Sequence, residues 1–69
     1  MQLSARNQIP ARVTSIKPGE AIANVHLDAG GVSLVASITV EAARQLGLTE
    51  GSNVTAVIKA SDVILATGD

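Results

Sequence analysis

The stretch VSLVASITVEAARQLGL, residues 32–48, carries two periods in one run. In its first half Val32, Leu34, Ala36 and Ile38 alternate with Ser33, Ser37 and Thr39, the pattern of a strand with one buried face. In its second half the spacing becomes helical: Val40, Ala43 and Leu46 share one face, Thr39 stands at the N-cap and Gly47 at the C′ position. Upstream, Ile9, Ala11 and Val13 alternate with Pro10, Arg12 and Thr14, which predicts a strand over roughly 9–16. Lys17-Pro18-Gly19 then signals a turn, and Ala23, Val25 and Leu27 alternate with Asn24, His26 and Asp28 up to the break at Ala29-Gly30-Gly31. Downstream, Glu50-Gly51-Ser52 is a turn, and Val54, Ala56 and Ile58 alternate with Thr55 and Val57. Lys59-Ala60-Ser61-Asp62 makes a tight connection, after which Asp62 to Thr67 is expected to close the chain as a fifth, apolar strand. Three strands, a short helix and two strands predict an all-β fold with one short helix, arranged as a five-stranded OB-like Greek-key barrel.

The 69 residues make a single domain over 1–69. Hydrophobic residues make up 46% and Phe, Trp and Tyr are absent, so the core must be built from Val, Ile, Leu and Ala. Domains this small often need a further source of stability. With no Cys and one His, neither a disulfide framework nor an ordinary zinc site is available, which leaves oligomerisation. Val35, Val57 and Ile64 fall opposite the main apolar faces, and a barrel has only one interior to offer, so an outer face is expected to pack against another subunit.

Charged and glycine residues interrupt every apolar run short of the ~20 residues a membrane helix needs, so no membrane partner is expected. The start MQLSARNQ lacks the apolar run of a signal peptide, and the expected compartment is the cytoplasm. Five Lys plus Arg stand against six Asp plus Glu, a net charge of −1, with no basic block. OB-type domains that bind single-stranded nucleic acid stack bases on aromatic side chains, and this chain has none. A nucleic-acid-binding OB domain is therefore the weaker reading.

No catalytic motif is present: Gly30-Gly31-Val32-Ser33 lacks the order of a nucleophile elbow, and there is no P-loop, H-E-x-x-H or dinucleotide fingerprint. Accordingly, no catalytic residue, metal ligand or cofactor is expected, and the chain does not read as an enzyme. His26 stands alone with Asp28 two residues on, the pattern of a solvated strand pair. More informative are hydrogen-bond donors at the ends of elements. Ser4 and Arg6, two apart, share a face if SARNQ is extended. Thr39 opens the helix, where unpaired N–H groups and the dipole favour an anion. Lys59, with Ala60 and Ser61 behind it, adds an ammonium, a hydroxyl and backbone amides. Each also has an ordinary structural role, as a surface charge, a cap or a terminal residue.

Taken together, SARNQ near the start, ITVEAARQLGL from Ile38 to Leu48 and TAVIKASDVI from Thr55 to Ile64 resemble the molbindins, the small molybdate-binding Mop proteins. The same fold serves as the sensing domain of molybdate-responsive regulators and as the accessory domain of molybdate-transporter ATPases. The resemblance spans nearly the whole chain. It implies a homo-oligomer, a hexamer built as a trimer of dimers, that binds molybdate or tungstate at subunit interfaces without turnover, for storage or homeostasis. An oligomerising sensor module of a transport system is the alternative within the family, and the start at Met1 without a linker favours the free-standing form. The family pattern places Ser4, Arg6, Lys59, Ala60 and Ser61 at an oxyanion site completed by Thr39 of a neighbouring subunit. Some relatives have Ser three positions after that Thr; here it is Ala42, which leaves only a backbone N–H for a contact. A second class of site near the symmetry axis is implied without assignable residues.

The chemistry is coherent. Molybdate is a tetrahedral dianion that only accepts hydrogen bonds, so its site needs donors and no carboxylate. Arg6 and Lys59 supply charge-assisted bonds, while Ser4, Thr39 and amides complete a shell without charge. Phosphate, protonated near neutral pH, needs an acceptor that such a shell lacks. Sulfate differs by size alone, and tungstate is almost the size of molybdate.

Overall fold

A computed structural model describes residues 6–68. Four strands form one antiparallel sheet: β1 (Asn7–Pro18), β2 (Ile22–Ala29), β3 (Val32–Thr39) and β4 (Asn53–Ile58), in the order β3-β2-β1-β4. A six-residue helix, α1 (Val40–Gln45), lies between β3 and β4, and a 3₁₀ turn (Ala60–Asp62) follows β4.

β1 holds the sheet together by pairing in two directions along its length. Asn7 to Arg12 pair with β4, Arg12 to Pro18 pair with β2, and Arg12 alone belongs to both ladders. The changeover is a β-bulge between Val13 and Ser15. There the turn before β4 takes over the free edge, with Val13 N–H donating to Ser52 O at 2.9 Å and Gly51 N–H to Val13 O at 2.8 Å. The bulge also resets the facing of the side chains. Ile9, Ala11 and Val13 lie on the core side, and the extra residue places Ile16 there too, opposite Val25, where strict alternation would have placed Ser15.

The turns follow from local chemistry. Gly30 and Gly31, at φ 62° and 93°, form a two-residue loop between paired Ala29 and Val32, a conformation of the I′ kind that side chains rarely adopt. Asp28 Oδ1 accepts from Gly31 N–H at 3.0 Å. Helix α1 begins as expected, with Thr39 Oγ1 accepting from Ala42 N–H at 3.0 Å. It ends in a Schellman arrangement around Gly47, whose φ is 66°: Gly47 N–H donates to Arg44 O at 3.0 Å and Leu48 N–H to Ala43 O at 3.1 Å. Leu48 thereby packs against the core, while Leu46, expected on the buried face, is exposed.

The core is small. Ala11, Val13, Ala23, Val25 and Leu27 are the buried hydrophobic residues, with Ile16, Leu34, Ile38, Leu48, Val54 and Ala56 half-buried around them. No polar or charged residue is buried among those described.

Two expectations need correction. The fifth strand over 62–67 is not formed: Asp62 ends the 3₁₀ turn, and the residues after it lie along no other strand of the chain. Ile64 and Leu65 are 92% and 88% exposed. The second correction follows from the first. The sheet remains open between β3 and β4, so this chain by itself is a four-stranded curled sheet and not a closed five-stranded barrel. The physical reason is that a strand gains stability only from a neighbouring edge and an apolar face, and the tail meets neither among the described residues. The Cα radius of gyration, 13.0 Å, exceeds the ~11 Å expected for a domain of this length. Among the described residues, no helix is long and apolar enough to cross a membrane.

Val25, 2% exposed between β1 and β3, tests where the stability resides. Val25→Ala is expected to destabilise the protein by about 2 kcal/mol through lost burial and an unfilled gap. Val35→Ala, on the exposed outer face, should cost much less when both are unfolded in urea at a protein concentration low enough to hold single chains.

Candidate oxyanion site

The β1–β4 ladder sets the first half of the candidate site. Its last pair is Asn7 with Ile58, so the chain immediately before β1 and the chain immediately after β4 leave the sheet side by side. These two exits carry Arg6 and Lys59, both exposed. Asn7 Nδ2 donates to Ile58 O at 3.2 Å, a bond between residues 51 apart in sequence. Past Lys59 the 3₁₀ turn closes with Asp62 N–H donating to Lys59 O at 2.9 Å and Val63 N–H to Ala60 O at 3.3 Å. The Ala60 and Ser61 N–H groups, first in that turn, take no part in its internal bonds. The structure therefore brings Arg6, Lys59, Ala60 and Ser61 to one end of the sheet. Ser4 lies outside the described residues.

Thr39 is elsewhere. It pairs with Ile22 at the end of β3, beside the β1–β2 turn, and so belongs to the Pro18 end of β1. Arg6 adjoins the Asn7 end, and a strand of this length separates the two by roughly 35 Å of chain path. Within one chain the pairing places Thr39 and Lys59 at opposite ends of β1. Thr39 and Ala42 are together but already engaged, since the Ala42 N–H that the resemblance assigns to the anion is bonded to Thr39 Oγ1. The hydroxyl accepts that bond and keeps its own hydrogen to donate outward. Glu20, Glu41, Arg44 and Gln45 line the shallow recess beside it. A ligand at Thr39 thus meets one cation and two carboxylates from its own chain, a poor environment for a dianion without further positive charge.

The other residues singled out in the sequence take structural parts. His26 is half-buried on the outer face of β2, opposite Ser15 and Val35, and its carbonyl accepts from Thr14 Oγ1 at 3.1 Å. Asp28, on the same face, is committed to the Gly31 hairpin bond. Among the described residues no group of three or more His, Cys, Asp or Glu is placed to hold a metal ion. Asn7 is the residue that the sequence reading passed over. The expected strand begins near Ile9, which leaves Asn7 in the polar SARNQ stretch, whereas β1 starts at Asn7, in phase with Ile9, Ala11 and Val13.

The TOBE domain family model matches residues 3–65. Molybdenum-pterin-binding protein 1 of Clostridium pasteurianum is 41% identical over 66 residues, covering 94% of this chain and 97% of its own length. The chain belongs to the molbindin (Mop) family of TOBE domains. Its fold agrees with solved members. A molybdate-binding protein from Sporomusa ovata superposes with a TM-score of 0.93 at 36% identity, over 97% of this chain and all of that one. MopII from Clostridium pasteurianum does so with a TM-score of 0.89, also at 36% identity, over 96% of this chain and all of its own. The mostly β fold with one short helix is therefore similar to that of these molybdate-binding proteins.

Thr39 has two separable parts in this arrangement, cap and outward donor. Thr39→Ala should lower the stability of the anion-free protein by about 1 kcal/mol through loss of the cap. Arg6→Ala, at an exposed position, should leave it within a few tenths. Thermal unfolding of both variants in anion-free buffer checks the difference.

Proposed function

We propose that this chain binds molybdate, and tungstate comparably, at sites shared between subunits of a homo-oligomer, and that it stores or buffers the anion in the cytoplasm without turning it over. The single observation that carries the reading is the division of donors. Arg6, Lys59 and the amides of Ala60 and Ser61 lie at one end of β1, and Thr39 lies at the other. A shell that combines them takes one end from each of two chains. The cationic end then supplies the charge, and Thr39 contributes a neutral donor. Ser4, next to Arg6 in the sequence pattern, belongs to the cationic half in this reading.

Assembly is supported by the balance of apolar surface. Ile22, Val32, Val35, Leu46, Val57, Val63, Ile64 and Leu65 are all exposed, against a buried set that, among the described residues, includes three larger than Ala. The open apolar cleft between β3 and β4 is lined by Val13, Val25, Leu34, Ile38, Leu48 and Ala56. In this reading a second copy supplies both the missing strand partner and cover for that surface, and the assembly is the hexamer, a trimer of dimers, that the family resemblance implies. The relatives' names join molybdenum to a pterin. This chain has no aromatic residue on which a pterin ring would stack, which favours the free oxyanion.

Arg6→Ala is expected to weaken molybdate binding by about tenfold or more, the worth of a lost charge-assisted bond. Thr39→Ala should weaken it as well. Co-refolding the two variants should restore tight sites that neither has alone, because some interfaces then combine an intact Arg6 with an intact Thr39. Titration calorimetry reads all three, and unchanged affinity in Arg6→Ala, or no recovery on mixing, would overturn the shared site.

Native mass spectrometry with and without molybdate tests the assembly, with six chains and several bound anions expected. Because the anion binds only the assembled protein, its melting temperature should rise with molybdate and not with sulfate.

A further inference from the structure

We propose that Asn7 is a positioning residue for the oxyanion site, the side chain that holds the Arg6 segment and the Lys59 turn in fixed relation; this rests on the function proposed above. Asn7 is the first residue of β1, half-buried, on the face it shares with half-buried Ile9 and with Ala11 and Val13 of the core. A strand of this kind ordinarily places an aliphatic residue there. An amide at that position needs a partner, and it has one in the carbonyl of Ile58, at 3.2 Å.

The choice of acceptor gives the bond its consequence. The Ile58 carbonyl and the Lys59 N–H belong to one planar peptide unit, so anchoring the oxygen fixes the direction in which the chain leaves β4. Lys59 follows with extended backbone, φ −63° and ψ 138°, and caps the turn that carries Ala60 and Ser61. On the other side, Asn7 is covalently next to Arg6. One side chain therefore ties the guanidinium-bearing segment to the ammonium-bearing turn at the point where the ladder ends. Ladder ends are where strands fray, and two flexible cationic side chains on frayed backbone would have to be ordered by the ligand at the cost of affinity. The Asn7 bond removes part of that cost before the ligand arrives.

The test compares Asn7→Leu, which keeps the side-chain shape and removes the donor, with Asn7→Gln, which keeps a carboxamide donor. Molybdate titration, anion-free melting temperature, subunit number by native mass spectrometry and amide hydrogen exchange at Ala60 and Ser61 are measured for each. A positioning role predicts that Asn7→Leu loses about five- to tenfold in affinity, the fold-change of one hydrogen bond, with melting temperature and subunit number unchanged. It also predicts that the Ala60 and Ser61 amides exchange faster without anion, and that Asn7→Gln recovers most of the affinity. Unchanged affinity in Asn7→Leu would overturn the proposal. So would a fall in affinity accompanied by a lower anion-free melting temperature or subunit number, since that is a structural role only. If the wild-type protein binds no molybdate, the proposed function fails by itself, and amide exchange still decides whether Asn7 holds the turn: faster exchange in Asn7→Leu supports it and unchanged exchange overturns it.

Discussion

The divided pairing of β1 is the constraint on which the rest of this molecule depends. A straight strand would have lain flat between two neighbours along its whole length. Here the first half serves β4, the second half serves β2, and the bulge between Val13 and Ser15 turns one into the other. That arrangement curls the sheet, directs Ile9, Ala11, Val13 and Ile16 to one side, and gives the two ends of β1 different neighbours, β4 at one and β2 at the other. The cationic residues at one end and Thr39 at the other inherit their separation from it.

A chain so arranged is incomplete in a defined way. Its core side is covered by little more than its own curvature and Leu48, and its apolar tail after the 3₁₀ turn joins no ladder among the described residues. The candidate site has the same character. Arg6 and Lys59 bring positive charge without Thr39, while Thr39 sits beside Glu20 and Glu41 without enough of it. In the proposed assembly the unmet needs of the sheet and of the site are answered by the same neighbour, which makes binding and association parts of one equilibrium.

Most of the fold was legible in the sequence because its signals are local. Alternation marked four strands, Ala29-Gly30-Gly31 marked the break between two of them, and Thr39 with Gly47 bracketed the helix. The misreadings have physical causes. Alternation cannot tell a strand from an extended tail whose partner lies outside the chain, so residues 62–67 looked like a fifth strand and the barrel looked closed. The shift from Val13 to Ile16, a spacing of three inside a run of twos, was a visible sign of the bulge, yet only pairing with Val25 shows which way it resets the faces. For the site, the residue types were legible from their donor chemistry, and the register shows which of them sit together. Asn7 escaped because its partner is a backbone carbonyl far away in sequence, which no side-chain pattern encodes.

The sequence distances within the sheet carry one more consequence. The β2–β3 hairpin closes over two glycines, whereas the β1–β4 ladder joins residues up to 51 apart. Local pairings form early and cheaply in chain entropy, and distant ones form late. The end of the protomer that holds Arg6 and Lys59 therefore carries the largest loop-closure cost in the sheet. Asn7, whose amide bonds the Ile58 carbonyl, places its side-chain bond on the pairing that chain entropy opposes most.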